Sequence, residues 1–220
     1  MVNHFMATET HNPETATADF FAVFGLPRKL NLDEGALQRD FYRLSREFHP
    51  DKFAQAPPAE QRAAMEKSSQ LNDAYRALKD PIARTQHLLE LEGVRMEEQS
   101  SAATQAARAS GTEKKQVVPP ELLEEVFELN MQLQELRMGK QMGESDPNIV
   151  RGLEAAKEKF DASLNALTLE LKSIWNHWDA VVEPGDAAQK ASIRDKMVAL
   201  LNKRSYIRNL VRDVNEALED

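Results

Sequence analysis

The sequence contains no cysteine among its 220 residues. This excludes disulfides and thiolate metal ligands, so any zinc or iron–sulfur chemistry in which the protein takes part must belong to a partner. We therefore predict that the protein has no metal site and no cofactor of its own. Aromatic residues make up only 6% of the chain and charged residues 29%, a composition that favours helices over a β-sandwich.

Long apolar runs and an excess of positive charge are also missing. No stretch of about 18 consecutive apolar residues occurs, so we expect no membrane span. The net charge of −8 argues against a nucleic-acid binder, because phosphates require a dominant basic surface. Residues 1–18 contain no Lys or Arg, which argues against a signal or transit peptide, and we expect them to form a disordered tail.

The sequence FHPDKF at residues 48–53 interrupts a strong helical pattern. Pro50 disfavours the helical conformation at His49 and lacks an N–H, so the helix should end there. A second amphipathic pattern runs from about residue 59 to residue 78, so we predict an antiparallel helical hairpin with His49, Pro50 and Asp51 in its loop. The first helix carries an apolar stripe at Leu37, Phe41, Leu44 and Phe48 and a basic face at Arg39, Arg43 and Arg46.

Shorter patterns surround the hairpin. The sequence DFFAVFGLP at residues 19–27 predicts a short helix whose phenylalanines pack against the hairpin. Asp33 and Asp80 are expected N-caps, and Pro57-Pro58 suits a helix start. Residues 97–116 contain nothing both larger and more apolar than Ala, so they cannot bury enough surface to fold. We therefore predict a tail (1–18), a helical domain (19–95), a linker (96–118) and a second domain (119–220).

The second domain contains three long patterns in which apolar residues recur at steps of three and four. The prolines at 147 and 184 fall between these patterns, where short connections favour antiparallel neighbours. Such patterns are typical of coiled-coil-like packing. We therefore predict an all-α protein in which the second domain is an elongated three-helix bundle.

The first bundle helix has two apolar stripes. One fills a core: Leu122, Val126, Leu129, Leu133 and Leu136. Leu123, Phe127 and Met131 repeat at i, i+4 and i+8 on a different face, with Glu124, Glu128 and Glu135 on or beside it. Tyr206 lies off the core stripe of the third helix. Exposed apolar residues beside carboxylates are typical of a partner-binding face; the alternative is that Phe127 packs on the second helix or against the first domain.

An enzyme that uses His49 and Asp51 as an acid–base pair is a further hypothesis. Both residues lie on one loop tip, and the sequence has no Gly-rich phosphate loop and no cluster of metal ligands. We therefore predict that the protein is not an enzyme and has no catalytic residues.

The hairpin with HPD in its loop resembles the J domain, which docks on DnaK-type chaperones. DFFAVFGLP, FHPDKFA and SSQLNDAYRALKDPIARTQHLLELEG resemble the HscB family in particular, the J-type co-chaperones of iron–sulfur cluster biogenesis. The resemblance implies that the loop and basic face bind the chaperone and stimulate its ATP hydrolysis. The implied chaperone-binding residues are His49, Pro50, Asp51, Lys52, Arg39, Arg43 and Arg46.

The same resemblance aligns LLEEVFELNMQLQE, residues 122–135, with the family segment that grips an IscU-type scaffold protein. Two positions depart from the family pattern: Glu124 stands where the family is often apolar, and Met131 where it is often acidic. The implied scaffold-binding residues are Leu123, Glu124, Phe127, Glu128, Met131, Glu135 and Tyr206. Eukaryotic members can carry a cysteine-rich metal module, so the lack of cysteine favours a bacterial, cytoplasmic member.

The expected function is therefore that of a co-chaperone. It would stimulate a DnaK/HscA-type ATPase and deliver an IscU-type scaffold to it during iron–sulfur cluster assembly and transfer. The alternative is a J-domain adaptor of the same chaperone class for a different client. The Leu123, Phe127 and Met131 face discriminates between them, because it should be exposed in the first case and could be buried in the second.

Overall fold

The structure is a computed structural model that describes residues 18–94, 118–144, 146–182 and 186–219. Within these ranges the chain forms seven α-helices, two 3-10 turns and no β-strand, so the predicted all-α fold is confirmed there. The predicted tail and linker lie outside the described residues, apart from Ala18 and Val118.

Among the described residues, four helices precede residue 95 and three follow residue 117. The first four are α1 (Phe20–Val23), α2 (Glu34–Glu47), α3 (Pro58–Lys79) and α4 (Pro81–Leu91). The last three are α5 (Leu123–Met142), α6 (Pro147–Val181) and α7 (Ala187–Glu219). The 3-10 turns are Pro50–Phe53, between α2 and α3, and Pro120–Leu122, immediately before α5.

The helix starts follow from the local sequence. In the first turn of the helix that follows, Asp33 accepts a hydrogen bond from one backbone N–H group and Asp80 from two, so both predicted N-caps are confirmed. Asp146 caps α6 in the same way. Pro58 and Pro81 occupy the first turns of α3 and α4. Backbone N–H groups in a first turn make no hydrogen bond within the helix, so proline loses nothing there.

One hydrophobic core joins the N-terminal helices to one end of the α6–α7 hairpin. Its buried side chains come from both parts of the chain: Phe21, Leu30, Leu37, Leu78, Leu88, Leu89, Leu171, Trp175, Trp178, Met197 and Leu201. Buried apolar area contributes roughly 25 cal/mol per Å². The helices before residue 95 and the hairpin after residue 146 therefore stabilise each other through a shared interior.

A second core lies at the other end of the hairpin, where α5 packs. Its buried members are Val126, Leu129, Leu133, Leu136, Leu153, Phe160, Leu167, Ile207, Leu210, Val214 and Ala217. Glu121 pairs with Lys203 at 2.8 Å, and the Lys140 ammonium donates to the Ala217 carbonyl at 2.8 Å. Because both residue numbers increase from the first contact to the second, α5 runs parallel to α7.

The three-helix bundle is complete over only part of its length. α5 has 20 residues and α6 has 35, which correspond to about 30 and 52 Å at 1.5 Å per residue. α5 ends at Gly143, whose φ of 74° is a left-handed conformation that glycine adopts without strain. Beyond the reach of α5, the α6–α7 hairpin is covered instead by the N-terminal helices.

Candidate functional site

The HPD turn is ordered by its own side chains. Nδ1 of His49 accepts a hydrogen bond from the backbone N–H of Asp51 at 3.3 Å, and a carboxylate oxygen of Asp51 lies 3.5 Å from the same nitrogen. Because Nδ1 accepts, a neutral His49 imidazole carries its proton on Nε2. The two side chains are 57% and 90% exposed, respectively. The loop thus presents an imidazole and a carboxylate to solvent in a defined arrangement.

Contacts of α3 with α2 and with the loop fix the position of the turn. The ring of Phe41 on α2 stacks on Tyr75 of α3 with centroids 4.1 Å apart. The side-chain amide of Gln61 donates to the carbonyls of Ala54 and Ala56, which follow the 3-10 turn. The hairpin predicted from the sequence is therefore present, with a 3-10 turn added to its loop.

The basic face lies on the same hairpin as the turn. Arg43 forms ion pairs within α2, at 3.0 Å to Asp40 and 3.9 Å to Glu47. Such exposed pairs contribute little to stability, so the arginine can exchange them for a partner's carboxylate at small cost. The four predicted cationic residues are all exposed: Arg39, Arg43, Arg46 and Lys52.

The second apolar stripe of α5 faces solvent. Leu123 is 56% exposed, Phe127 68% and Met131 57%. On the opposite side of the helix, the predicted core residues Val126, Leu129, Leu133 and Leu136 are buried. The alternative in which Phe127 packs on the second helix or the first domain is therefore wrong. Leu122 of the predicted core stripe lies in the 3-10 turn and is only partly buried.

Carboxylates flank the exposed stripe on one side. Glu124, Glu128 and Glu135 are all exposed, and at 100° per residue they lie about 60 to 100° around the helix from Phe127. Glu128 also lines a groove between α5 and α6, beside Gly152 and Ala155. Glu128 of the acidic flank therefore lies at the junction of these two helices.

Tyr206 differs from the other predicted scaffold-binding residues. It is half-buried and its ring packs against the second core, not outward from α7. Burial raises the pKa of the Tyr206 phenol, and the Asp213 carboxylate raises it further. The sequence pattern placed Tyr206 off the core stripe, but a wide aromatic ring at the edge of a stripe can still reach the interior. It offers a partner less surface than Phe127 does.

Two exposed methionines extend the α5 stripe beyond the predicted residues. Met138 is 50% exposed and Met142 70%. They follow Met131 by seven and eleven residues, which returns them to the same helix face, so the spacing could have identified them. Among the described residues, no group of His, Cys, Asp or Glu side chains could hold a metal ion. None of the described helices has the length and apolar character needed to cross a membrane.

Curated relatives resemble part of the chain. A protein from Bordetella petrii called "Co-chaperone protein HscB homolog" is 41% identical over 92 residues, which is 42% of this chain and 54% of the relative. A protein of the same name from Aromatoleum aromaticum is 45% identical over 76 residues, or 34% of this chain and 43% of the relative. The chain thus spans about half the length of the curated relatives it matches.

Two solved structures share the fold over nearly the whole chain. Chaperone HscB from Vibrio cholerae has a TM-score of 0.58 at 24% identity, covering 92% of this chain and 98% of that one. Human co-chaperone protein HscB has a TM-score of 0.59 at 19% identity, covering 98% and 93%. The arrangement of the helices on both sides of residues 95–117 therefore occurs in experimentally determined proteins.

The DnaJ domain family matches residues 19–87, the part that contains α1 to α3, most of α4 and the HPD turn. These residues therefore match a J domain, and the helices before residue 95 are called the J domain below. The relatives and the two solved structures described above all carry the name HscB, so the chain is similar to HscB proteins in part of its sequence and in its fold.

Proposed function

We propose that this protein is a co-chaperone that stimulates the ATPase of a DnaK/HscA-type chaperone and delivers an IscU-type scaffold protein to it during iron–sulfur cluster assembly and transfer. In this proposal residues 19–95 form the J domain and residues 119–220 bind the scaffold. No residue of the chain catalyses a reaction, since the chaperone hydrolyses the ATP. The proposed compartment is the bacterial cytoplasm.

One observation carries the proposal: a single chain presents an exposed HPD turn and, on a separate helix, an exposed apolar stripe with an acidic flank. A J domain alone needs only the turn and its basic face. The stripe leaves three large apolar side chains in water, at Leu123, Phe127 and Met131. Clustered exposure of this kind is typical of a protein-binding surface.

The basic face of α2 acts first in the proposed mechanism. Exposed cationic side chains attract an acidic chaperone surface and raise the rate of encounter more than the final affinity. The HPD turn then makes its contacts, with Nε2 of His49 able to donate a hydrogen bond because Nδ1 accepts one. These contacts favour the ATP-hydrolysing state of the chaperone, and such coupling is typically worth about 1–3 kcal/mol.

The exposed stripe of α5 holds the scaffold. Phe127, at 68% exposed, is the largest apolar side chain of the stripe and becomes its central anchor. Glu124 and Glu128 beside it select for basic residues on the scaffold. Because one chain carries both surfaces, a bound scaffold is held at high effective concentration next to the chaperone.

The substitution Phe127→Ala tests the scaffold-binding site. We expect it to weaken the affinity for the purified scaffold by about 2 kcal/mol, or roughly 30-fold, because an aromatic anchor is lost. Titration calorimetry measures this directly. Thermal unfolding should be nearly unchanged, since the ring is 68% exposed.

Leu169→Ala is a matched control for this experiment. Leu169 is 69% exposed on α6 and lies outside the α5 stripe, so its loss should leave scaffold affinity intact. If Phe127→Ala binds the scaffold as tightly as the control does, the stripe is not the scaffold site. The J domain would then serve a different client.

A further inference from the structure

The apolar surface of α5 continues past the proposed scaffold-binding residues to the end of the helix. At 100° per residue, Met138 lies about 20° and Met142 about 60° around the helix from Phe127. Both are exposed. From Leu123 to Met142 the stripe is about 28 Å long. The residues of α5 assigned to scaffold binding, Leu123 to Glu135, account for about two thirds of that length.

The far end of the stripe opens into a groove where α5 turns into α6. The groove is open to solvent and has a volume of about 630 Å³. Its apolar wall consists of Met131, Met138, Met142, Leu136 and Ile149. Three of these side chains are methionines, whose flexible and polarisable thioethers can fit partners of varied shape. A groove of this kind suits an apolar peptide segment better than a small polar ligand.

Every ionisable residue that lines the groove is acidic: Glu135, Glu144 and Asp146. The nearby Lys140 does not neutralise them, because its ammonium is turned to the other side of α5, where it donates to the Ala217 carbonyl. Glu128 and Glu124 continue the same acidic flank toward the start of the helix. A partner that covers the groove must therefore bring positive charge along with apolar side chains.

We infer that this methionine groove receives a second segment of the scaffold protein, one that combines apolar residues with Lys or Arg. The segment lies on the groove at the α5–α6 turn while another part of the scaffold covers Phe127. The inference rests on the proposed function, since it extends the scaffold contact along the same helix. A second copy of this chain fits less well, because two acidic grooves facing each other repel.

The double substitution Met138→Gln with Met142→Gln tests the inference. Glutamine keeps the side-chain length and helix propensity but removes the apolar contact. We expect titration calorimetry with the purified scaffold to give about tenfold weaker binding, the loss of two flanking contacts. Leu169→Gln is the matched control and should bind as the wild type does. Unchanged affinity in the double variant would overturn the inference.

Phe127→Ala, measured alongside, separates the two proposals. If it weakens binding and the methionine variant does not, the scaffold site stands and the groove is not part of it. If neither variant weakens binding, both proposals fail. Sedimentation of the wild type and the methionine variant adds a third outcome. A dimer that the substitutions dissociate would make the groove a contact between copies of this chain and would also overturn the inference.

Charge provides an independent arm of the test. Glu144→Lys reverses one exposed charge on the rim without touching the methionines. We expect weaker scaffold binding that is also less sensitive to salt, because an attractive pair is replaced by a repulsive one. Equal or tighter binding would contradict a basic partner segment.

Discussion

His87 lies in the interior of the J domain and holds α1 against α4. Its Nε2 accepts a hydrogen bond from the backbone N–H of Phe20 at 3.0 Å, and its ring stacks on Phe20 with centroids 4.3 Å apart. Burial lowers the pKa of the His87 imidazole, Arg28 lowers it further, and the Asp19 carboxylate opposes both. The hydrogen bond from Phe20 requires a neutral imidazole, because a proton on Nε2 would leave that nitrogen unable to accept it.

This environment makes the stability of the protein depend on pH. The pKa of an unfolded histidine is about 6.5, and the folded value of His87 lies below it. Between these values the unfolded chain binds the extra proton, so stability rises with pH in that window. The contribution is fully present above about pH 6.5 and is lost as pH falls through the folded pKa.

We therefore expect thermal unfolding to occur at lower temperature at pH 5.5 than at pH 7.5. The substitution His87→Gln should flatten this dependence, because an amide oxygen can accept from Phe20 without titrating. Scanning calorimetry of both proteins across this range provides the measurement. Parallel pH profiles for the two proteins would show that His87 is not the group responsible.

Buried polar residues were the part of the fold that the sequence could not predict. Arg84, Thr85 and His87 in α4 are buried, although apolar periodicity gives no reason to place them inside. Their partners are distant in the chain: Arg84 donates to the carbonyl of Leu30, and Thr85 accepts from the indole N–H of Trp175. A local pattern cannot reveal hydrogen bonds that span 54 or 90 residues.

At the level of elements, Asp179 of α6 is the main polar link between the helical hairpin and the J domain. Its carboxylate accepts from the backbone N–H groups of Leu30 and Asn31 at 2.7 and 2.9 Å, and from the Asn31 side chain at 2.8 Å. Trp178 beside it donates to the carbonyl of Arg28 at 3.1 Å. The loop between α1 and α2 is therefore anchored to the end of α6.

Removing this carboxylate should loosen the whole loop. We expect Asp179→Ala to destabilise the protein by about 2 kcal/mol, because it leaves the partly buried N–H of Leu30 without an acceptor and removes two exposed hydrogen bonds to Asn31. Denaturant unfolding measures the loss. Asp195→Ala, at an exposed position on α7, is the matched control and should change stability little. Equal stability of the two variants would contradict the role given to Asp179.

The helices themselves were largely predictable. Alternating steps of three and four residues predicted α5, α6 and α7, and a count of apolar residues showed that α5 carries two stripes and not one. The apolar periodicity could not show which helices cover the part of α6 that extends beyond α5. The answer depends on Trp175 and Trp178 packing against the J domain, a contact between distant segments.

At the scale of the whole molecule, two exposed surfaces are carried by one continuous framework. The turn at His49 lies on the J domain, and the stripe around Phe127 lies on the bundle. The first core joins the J domain to the α6–α7 hairpin, and the second joins that hairpin to α5. A framework of this kind limits how far the two surfaces can move relative to each other, which favours simultaneous engagement of the two proposed partners.

The candidate sites were predictable to different degrees. His49, Pro50 and Asp51 could be identified because a tripeptide in a helical hairpin is a short local motif. Phe127 could be identified only as an apolar residue on a second face, since exposure depends on where the other helices pack. Met138 and Met142 share that face, and their position beside a groove depends on the α5–α6 turn, which periodicity does not describe.

The central claim is that the protein couples a chaperone to a scaffold. Its most direct test is the steady-state ATPase of the cognate DnaK/HscA-type chaperone, measured with this protein alone, with the purified scaffold alone, and with both. We predict stimulation by the protein alone and a greater than additive rate with both. His49→Gln should abolish both effects while leaving thermal unfolding unchanged, because His49 is exposed. Stimulation that persists in this variant, or that is indifferent to the scaffold, would contradict the account.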